Sequence, residues 1–117
     1  NRQLNFYREI LDELPLSILE IPENVNSAVH LAVIKLRKIS SKYYSKIFEG
    51  LRAQQIGVQL HYRPIYKNPF YEKYNFDKSH FPGAEEYESS AISIPLYPGL
   101  TRSEQLRVKN AIDILLK

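Results

Sequence analysis

The sequence predicts a two-layer α+β domain, in which a mainly antiparallel sheet of about three strands is covered by helices. Three observations support this prediction. The chain has 117 residues, which suggests one domain with one hydrophobic core. Apolar residues recur at helical spacing in several stretches, and valine- and isoleucine-rich runs of strand length lie between them. The order is helix, strand, helix, strand, short helices, strand and a closing helix.

The N-terminal third contains the first helix and the first strand. Residues 2–14 place leucine and tyrosine side chains at helical spacing, and Pro15 ends this helix. Residues 16–27 contain a proline and two asparagines and predict a loop. Residues 28–36 are almost continuously apolar, which is typical of a strand that is buried on both faces.

The rest of the chain supplies the remaining helices and the third strand. Ser40 or Ser41 is the expected N-cap of a second helix that ends near residue 54. Residues 70–74 and 82–89 predict two short helices, one just after a proline and one beginning with a proline. Residues 91–96 predict the third strand. The closing helix begins at a capping box, Thr101-Arg102-Ser103-Glu104.

The second strand, between residue 57 and Pro64, carries the candidate site. Side chains alternate across a strand, which predicts an apolar face formed by Val58, Leu60 and Tyr62. We expect the ring of Tyr62 to pack in the core. The opposite face carries an amide, an imidazole and a guanidinium, from Gln59, His61 and Arg63. Pro64 holds the preceding arginine extended and ends the strand, and a polar face at a strand end commonly provides ligand contacts.

Composition excludes several classes of protein. The net charge of +3 comes from scattered basic residues and is weak support for a polyanion partner. The sequence has no cysteine, so it can form neither a disulfide nor a thiolate metal site, and this fits a cytoplasmic location. His80 and Asp77 lack a third ligand at metal spacing, so we expect no metal site. Ser93 and its neighbouring serines lack the histidine and glycine pattern of a hydrolase.

The chain contains no methionine, and a predicted helix begins directly at its first residues. We therefore expect that the sequence is a piece of a longer protein. The longest apolar run is too short to span a bilayer, and the first residues have no secretory signal pattern.

Three stretches in this order resemble the C-terminal domain of DegT/StrS-type sugar aminotransferases. Residues 56–66 read IGVQLHYRPIY, residues 81–87 read FPGAEEY, and residues 93–101 read SIPLYPGLT. The helix and strand before them and the helix after them also fit, so the resemblance covers nearly the whole chain. Within the family, the sequence is most similar to the subfamily that forms UDP-4-amino-4,6-dideoxy-N-acetyl-altrosamine.

The resemblance implies that the full-length protein is a homodimeric enzyme that contains pyridoxal 5'-phosphate. Such an enzyme transfers an amino group, usually from glutamate, to a keto carbon of a nucleotide-linked deoxysugar. In the family, the lysine that binds the cofactor lies in a large domain upstream of the portion seen here. No lysine of this sequence stands in that motif. We therefore expect a small domain, residues 1–117, with no catalytic residue and no cofactor contact of its own.

The resemblance also implies that His61, Tyr62 and Arg63 contact the substrate. The planar guanidinium of Arg63 could pair with the diphosphate, because its geometry matches phosphate oxygens. His61 could hydrogen-bond a sugar hydroxyl or help to order the cofactor. From the residues alone, His61 is more typical of a solvated strand face than of a site, and the resemblance reverses this preference. Arg63 is equally typical of a surface ion pair.

The rival interpretation is a stand-alone module that binds nucleic acid or a protein partner. Its support is the interleaving of aromatic rings with Arg63, Lys67, Lys73 and Lys78. Glutamate and aspartate side chains in the same region dilute this charge, and no recognised RNA-binding motif is present. The aromatic residues between 66 and 76 predict packing or a contact between subunits. We therefore expect neither a nucleic acid nor a membrane as partner.

Overall fold

The computed structural model describes residues 1–37 and 41–117. In this part of the chain, four antiparallel strands form one sheet. The order across the sheet is β1, β2, β4 and β3. The strands are β1 (Leu16–Ile18), β2 (Ala32–Leu36), β3 (Gln59–Leu60) and β4 (Ala91–Ile94). The predicted α+β architecture is confirmed, with one strand more than expected.

The helices lie before, between and after these strands. The α-helices are α1 (Arg2–Leu11), α2 (Tyr44–Ala53), α3 (Pro82–Glu88) and α4 (Arg102–Leu115). Short 3₁₀ helices cover Ser41–Tyr43, Ile65–Lys67, Pro69–Tyr74 and Lys78–His80. The prediction that Ser40 or Ser41 caps α2 is wrong, because the N-cap is Tyr43, which makes no side-chain cap hydrogen bond. The 3₁₀ helix Ser41–Tyr43 comes directly before α2, and Ser40 lies outside the described residues.

The core lies between one face of the sheet and the helices α1, α2 and α4. Ile34 and Ile92 face each other across β2 and β4, and both are fully buried. Helices α2 and α4 pack closely at Gly50, where an added Cβ would overlap the side chain of Leu115. The buried apolar side chains of the helices are Leu4, Tyr7, Leu11, Ile47, Leu51, Val108, Ala111 and Ile112.

The opposite face of the sheet carries the polar residues of the candidate site. Register places Val33, Ser93 and Gln59 side by side on β2, β4 and β3. Val33 and Ser93 are buried on this face, and Gln59 is exposed. Helix α3 is tied to the same face by an ion pair of 3.0 Å between Lys35 and Glu86.

Two predictions about the N-terminal third are corrected. Residues 16–27 do not form only a loop, because Leu16–Ile18 is strand β1 and pairs with β2 through Leu16 and Leu36. Three residues are too few for a clear alternating pattern, and pairing with β2 is what holds them extended. Strand β2 is shorter than the predicted 28–36, and α1 ends at Leu11, before the predicted residue 14.

The C-terminal predictions are confirmed in kind. Pro69–Tyr74 is helical as a 3₁₀ helix, α3 begins at Pro82, and β4 occupies residues 91–94 of the predicted 91–96. The capping box at α4 is present in full. The Thr101 hydroxyl accepts from the Glu104 backbone N–H at 3.2 Å, and the Glu104 carboxylate accepts from the Thr101 N–H at 2.8 Å.

Candidate functional site

Strand β3 ends much earlier than its sequence predicts. It contains only Gln59 and Leu60, which pair with Ser93 and Ile92 of β4. The chain then turns away from the sheet at Tyr62, whose φ is +23°, a backbone conformation that is rare for residues other than glycine. The alternating pattern therefore stops at His61, and only Val58 of the predicted apolar face is buried.

His61 lies half-buried against the polar face of the sheet. Its Nδ1 is 3.2 Å from the Oγ of Ser93. The Tyr87 ring meets the imidazole edge-on, with 5.7 Å between ring centroids, and the Tyr62 ring is tilted against it at 5.4 Å. The imidazole is thus held by one hydrogen bond from β4, one ring contact from α3 and one ring contact from its neighbour Tyr62.

The prediction that Tyr62 packs in the core is wrong. Its side chain is 83% exposed, because the turn at Tyr62 directs it away from the helices. Leu60, from the same predicted face, is 53% exposed. Strand β3 is at the edge of the sheet, so its outer residues extend past the helices that cover the core.

Arg63 is exposed and lines a cavity of about 280 Å³. The cavity walls include Ile65 and Tyr71. Within residues 1–37 and 41–117, no side chain forms a hydrogen bond or ion pair with the guanidinium. The structure thus brings His61 and Tyr62 into ring contact and leaves the Arg63 head group available to a ligand or another chain.

Two cavities adjoin the polar face on which His61 lies. The larger, of about 470 Å³, is lined by Gln59 and Ser93 and also by Tyr97, Glu104 and Arg107. The smaller, of about 230 Å³, is lined by His61, Val33, Glu20 and His30. Leu31 lines both. The larger cavity has the size of a small-molecule site, with mostly apolar walls and a few polar groups.

Sequence reasoning missed several residues of this region. Ser93 was considered only as a nucleophile. Its register opposite Val33 of β2 determines that it lies on the polar face of the sheet. Tyr87 lies on α3, whereas Glu20 and His30 lie in the connection between β1 and β2. No spacing in the sequence indicates that these side chains lie near His61.

The segment after Tyr62 is rich in aromatic side chains but has no buried residue. We call residues 62–81 the aromatic segment. All residues from 59 to 89 are described, and none is buried. Neighbouring rings contact one another along the segment, from Phe70 to Tyr71, Tyr74, Phe76, Phe81 and Tyr66.

A polar cluster anchors the aromatic segment to α3. Lys67 pairs with Glu85 at 2.8 Å and also with Glu88, and the Tyr66 hydroxyl donates to Glu85 at 2.5 Å. Hydrogen bonds from Lys67 and then from Tyr66 hold the pKa of the Glu85 carboxyl below its usual range. The same carboxylate, and then that of Glu88, raises the pKa of the Lys67 ammonium.

The described residues were also compared with the requirements of a metal site and of a membrane-spanning helix. No group of three or more histidine, aspartate or glutamate side chains there could hold a metal ion. No helix of the described chain has the length and apolar character needed to cross a membrane.

The amino-acid sequence of the chain is similar to those of known proteins. The sequence model of the DegT/DnrJ/EryC1/StrS aminotransferase family matches residues 1–113. The UDP-4-amino-4,6-dideoxy-N-acetyl-beta-L-altrosamine transaminase of Campylobacter jejuni is 28% identical over 114 residues, which are 97% of this chain and 30% of the transaminase. MJ1066 of Methanocaldococcus jannaschii, an uncharacterized protein, is 38% identical over 69 residues, which are 58% of this chain and 18% of that protein.

The fold has solved relatives as well. PseC from Helicobacter pylori, an aminotransferase involved in the biosynthesis of pseudoaminic acid, superposes with a TM-score of 0.87 at 22% identity. The superposition covers 98% of this chain and 31% of PseC. The chain thus spans less than a third of the length of these relatives.

Proposed function

Because this chain belongs to the DegT/DnrJ/EryC1/StrS aminotransferase family, we propose that it is the C-terminal small domain of a longer nucleotide-sugar aminotransferase. The full-length enzyme would contain pyridoxal 5'-phosphate and transfer an amino group from glutamate to a 4-keto-6-deoxy nucleotide sugar. The product would serve the biosynthesis of surface polysaccharides or nonulosonic acids, and the enzyme would work in the cytoplasm. The similarity to the altrosamine transaminase supports this choice of substrate class.

We further propose that this chain contributes no residue to cofactor binding. The cofactor supplies the electron sink for amino transfer and needs a free lysine amine. On the side of the sheet that carries His61, Lys35 and Lys67 are engaged by Glu86 and Glu85. We therefore assign cofactor binding and proton transfer to the rest of the longer enzyme, and we expect residues 1–117 to be inactive alone.

The proposed role of this chain is to form one wall of the substrate cleft through His61, Tyr62 and Arg63. The observation that carries the proposal is the position of His61, which lines a cavity of about 230 Å³ and contacts Ser93, beside the exposed side chains of Tyr62 and Arg63. His61 would hydrogen-bond a sugar oxygen, and the exposed ring of Tyr62 would contact the substrate. The guanidinium of Arg63 would pair with the diphosphate, since it has five donors and no partner among the described residues.

Replacing Arg63 by alanine in the full-length enzyme tests the phosphate contact. Loss of a hydrogen bond to a charged group costs about 1.5–3 kcal/mol, so we expect the KM for the nucleotide sugar to rise about 10- to 100-fold. The amount of bound cofactor should not change, which absorbance measures. Arg52→Ala is the matched control, because Arg52 lies on α2 over the Phe48 ring. An unchanged KM in Arg63→Ala would exclude the phosphate contact.

We further propose that the aromatic segment contacts the second subunit of a homodimer. Phe70 is 65% exposed and Ile65 is 72% exposed, and no residue between 59 and 89 is buried within this chain. Exposed aromatic surface of this kind is typical of interfaces. Phe70→Glu in the full-length enzyme should shift the dimer to monomers in light scattering, and an unshifted dimer would contradict this contact.

The alternative function, a module that binds nucleic acid, has weaker support. Lys67 is paired with two glutamates, and Lys73 lies over the Phe70 and Tyr74 rings at 4.9 and 5.1 Å. The ion pairs neutralise the charge of Lys67, so the Arg63 guanidinium, unpaired among the described residues, is the main cation left to support this alternative. Retention on single-stranded nucleic acid that weakens with salt would favour the alternative.

A further inference from the structure

We propose that Ser93 is a positioning residue, which fixes the neutral His61 imidazole in the tautomer that carries its proton on Nε2. His61 then offers an N–H donor to its ligand and cannot act there as a proton acceptor. The identity of that ligand rests on the proposed function, whereas the state of the ring does not.

The position of Ser93 is set by the sheet. It lies on β4 between Val33 of β2 and Gln59 of β3, and its side chain is only 7% exposed. Its Oγ is 3.2 Å from Nδ1 of His61. Because β4 is paired on both sides, the hydroxyl is presented from a rigid element, unlike a hydroxyl on a loop.

The hydroxyl proton decides the tautomer. A serine hydroxyl has one proton to donate, and burying that proton without an acceptor costs about 1–3 kcal/mol. Among the residues that the structure describes, Nδ1 of His61 is the only hydrogen-bond partner of the Ser93 side chain. The arrangement that gives the hydroxyl proton an acceptor from the described chain itself, and not from solvent in the cavity that Ser93 lines, has Ser93 donating to an unprotonated Nδ1. The single ring proton of neutral His61 is then on Nε2.

The orientation of the ring is fixed by its two aromatic neighbours. Tyr87 lies edge-on to the imidazole, with 72° between the ring planes, and Tyr62 lies at 47°. Turning the ring over would place a carbon against the Ser93 Oγ and remove the hydrogen bond. Nε2 therefore points away from Ser93, and its N–H fits an acceptor oxygen such as a hydroxyl, carbonyl or phosphate oxygen.

The first experiment reads the tautomer directly in the 117-residue chain. Nitrogen-15 labelling of histidine and two-bond correlation spectra at about pH 8.5, where histidine rings are neutral, distinguish protonated from unprotonated ring nitrogens. We expect a protonated Nε2 and an unprotonated Nδ1 for His61. In Ser93→Ala both nitrogens should shift toward the averaged values of mixed tautomers, and Ser93→Thr, which keeps the hydroxyl, should restore the original pattern.

The controls separate positioning from a loss of fold. His30 and His80 are exposed and serve as internal references in every spectrum. Ser17→Ala removes an exposed serine of β1 and should leave the His61 signals unchanged. A protonated Nδ1 in the unmodified chain overturns the proposal, as do unchanged His61 signals in a folded Ser93→Ala variant. If Ser93→Ala unfolds the chain, the spectrum of the unmodified chain still decides the tautomer.

The second experiment tests the consequence in the full-length enzyme. Glutamine can place an amide N–H near the position of Nε2, so His61→Gln should retain binding of the nucleotide sugar better than His61→Asn, whose amide ends near Nδ1. One neutral hydrogen bond corresponds to about a 2- to 10-fold difference in KM between the two variants. Equal KM values would overturn the donor role. If the enzyme proves to act on no nucleotide sugar, the proposed function fails, and the tautomer measured in the spectra still stands.

Discussion

The helix-covered face of the sheet and the aromatic segment use similar side chains with opposite results. Ile92 on β4 is fully buried among α1, α2 and α4, whereas Ile65 at the start of the aromatic segment is 72% exposed. Phe70 and Tyr74 are also more than half exposed, although both of their rings contact the ring of Tyr71. Apolar composition is therefore a poor guide to burial in this chain.

The two regions are held by different interactions. The core is stabilised by removal of apolar surface from water, which is cooperative over the whole domain. The aromatic segment is tied to the domain by the pairing of Lys67 with Glu85 and Glu88 and by the Tyr66 hydroxyl. Such a segment can detach locally while the core stays folded. A surface of this kind is suited to being covered by another domain or subunit.

The largest difference should appear when isoleucine is truncated in each region. Ile92→Ala removes fully buried side-chain atoms from β4, one of the two central strands, and should lower the free energy of unfolding by about 2–5 kcal/mol. Ile65→Ala, the same substitution at an exposed site, should change it by less than about 0.5 kcal/mol. Urea denaturation of the two variants measures both values. Similar losses would show that the aromatic segment belongs to the cooperative core.

Removal of a tyrosine hydroxyl should change the free energy of unfolding less than truncation of Ile92 does. The Tyr44 hydroxyl donates to the Ala91 carbonyl at 3.1 Å, so Tyr44→Phe should cost about 0.5–1.5 kcal/mol. The Tyr7 hydroxyl is buried without a hydrogen-bond partner among the described residues, and its burial raises the pKa of this phenol. Tyr7→Phe should therefore leave the melting temperature unchanged or raise it. A marked loss of stability in Tyr7→Phe would reveal a partner for this hydroxyl.

Protonation of the Glu85 carboxyl should have the smallest effect on overall stability. Its effect should be local to the aromatic segment. Lys67 and Tyr66 depress its pKa, so its contribution is present above the ordinary glutamate pKa of about 4.3 and is lost as the pH falls through the depressed value. Lys67 has a raised pKa, and its contribution is lost only as the pH rises through that value, above about 10.4. The anchoring contact should therefore persist at neutral pH.

Backbone amide resonances can follow this local release. On acidification, the amides of the aromatic segment should shift in a transition below the ordinary glutamate range, before those of β4 lose their dispersion. In Glu85→Gln the segment should already be released at neutral pH and be cut faster by trypsin. Glu72→Gln is the matched control, because the Glu72 carboxylate has no ion pair among the described residues. Equal cleavage of the two variants would contradict the anchoring role.

Much of the fold could be predicted because its signals are local. The capping box at Thr101 and Glu104 and the proline at the start of α3 determine where those helices begin. The resemblance that residues 56–66 carry also pointed to the right family. Strand β1 was missed because three residues give too short a pattern, and it exists by pairing with β2.

Less of the candidate site than of the fold could be predicted from the sequence. The polar residues Gln59 and His61 were placed on one face correctly, since alternation holds as far as His61. Tyr62 was placed wrongly, because a single backbone angle ends the alternation and no local signal marks it. Ser93 and Tyr87 were not connected with His61, because they come together only when β4 and α3 pack.

The amino-acid sequence by itself determined the fold class, the helix boundaries that depend on capping and proline, and membership of the family. These depend on interactions between residues that are near in the chain, or on strings of residues read directly. The tertiary structure alone decided which apolar side chains are buried and which polar groups meet around His61. Those outcomes depend on the register between strands and on the packing of distant elements, which no short stretch of sequence contains.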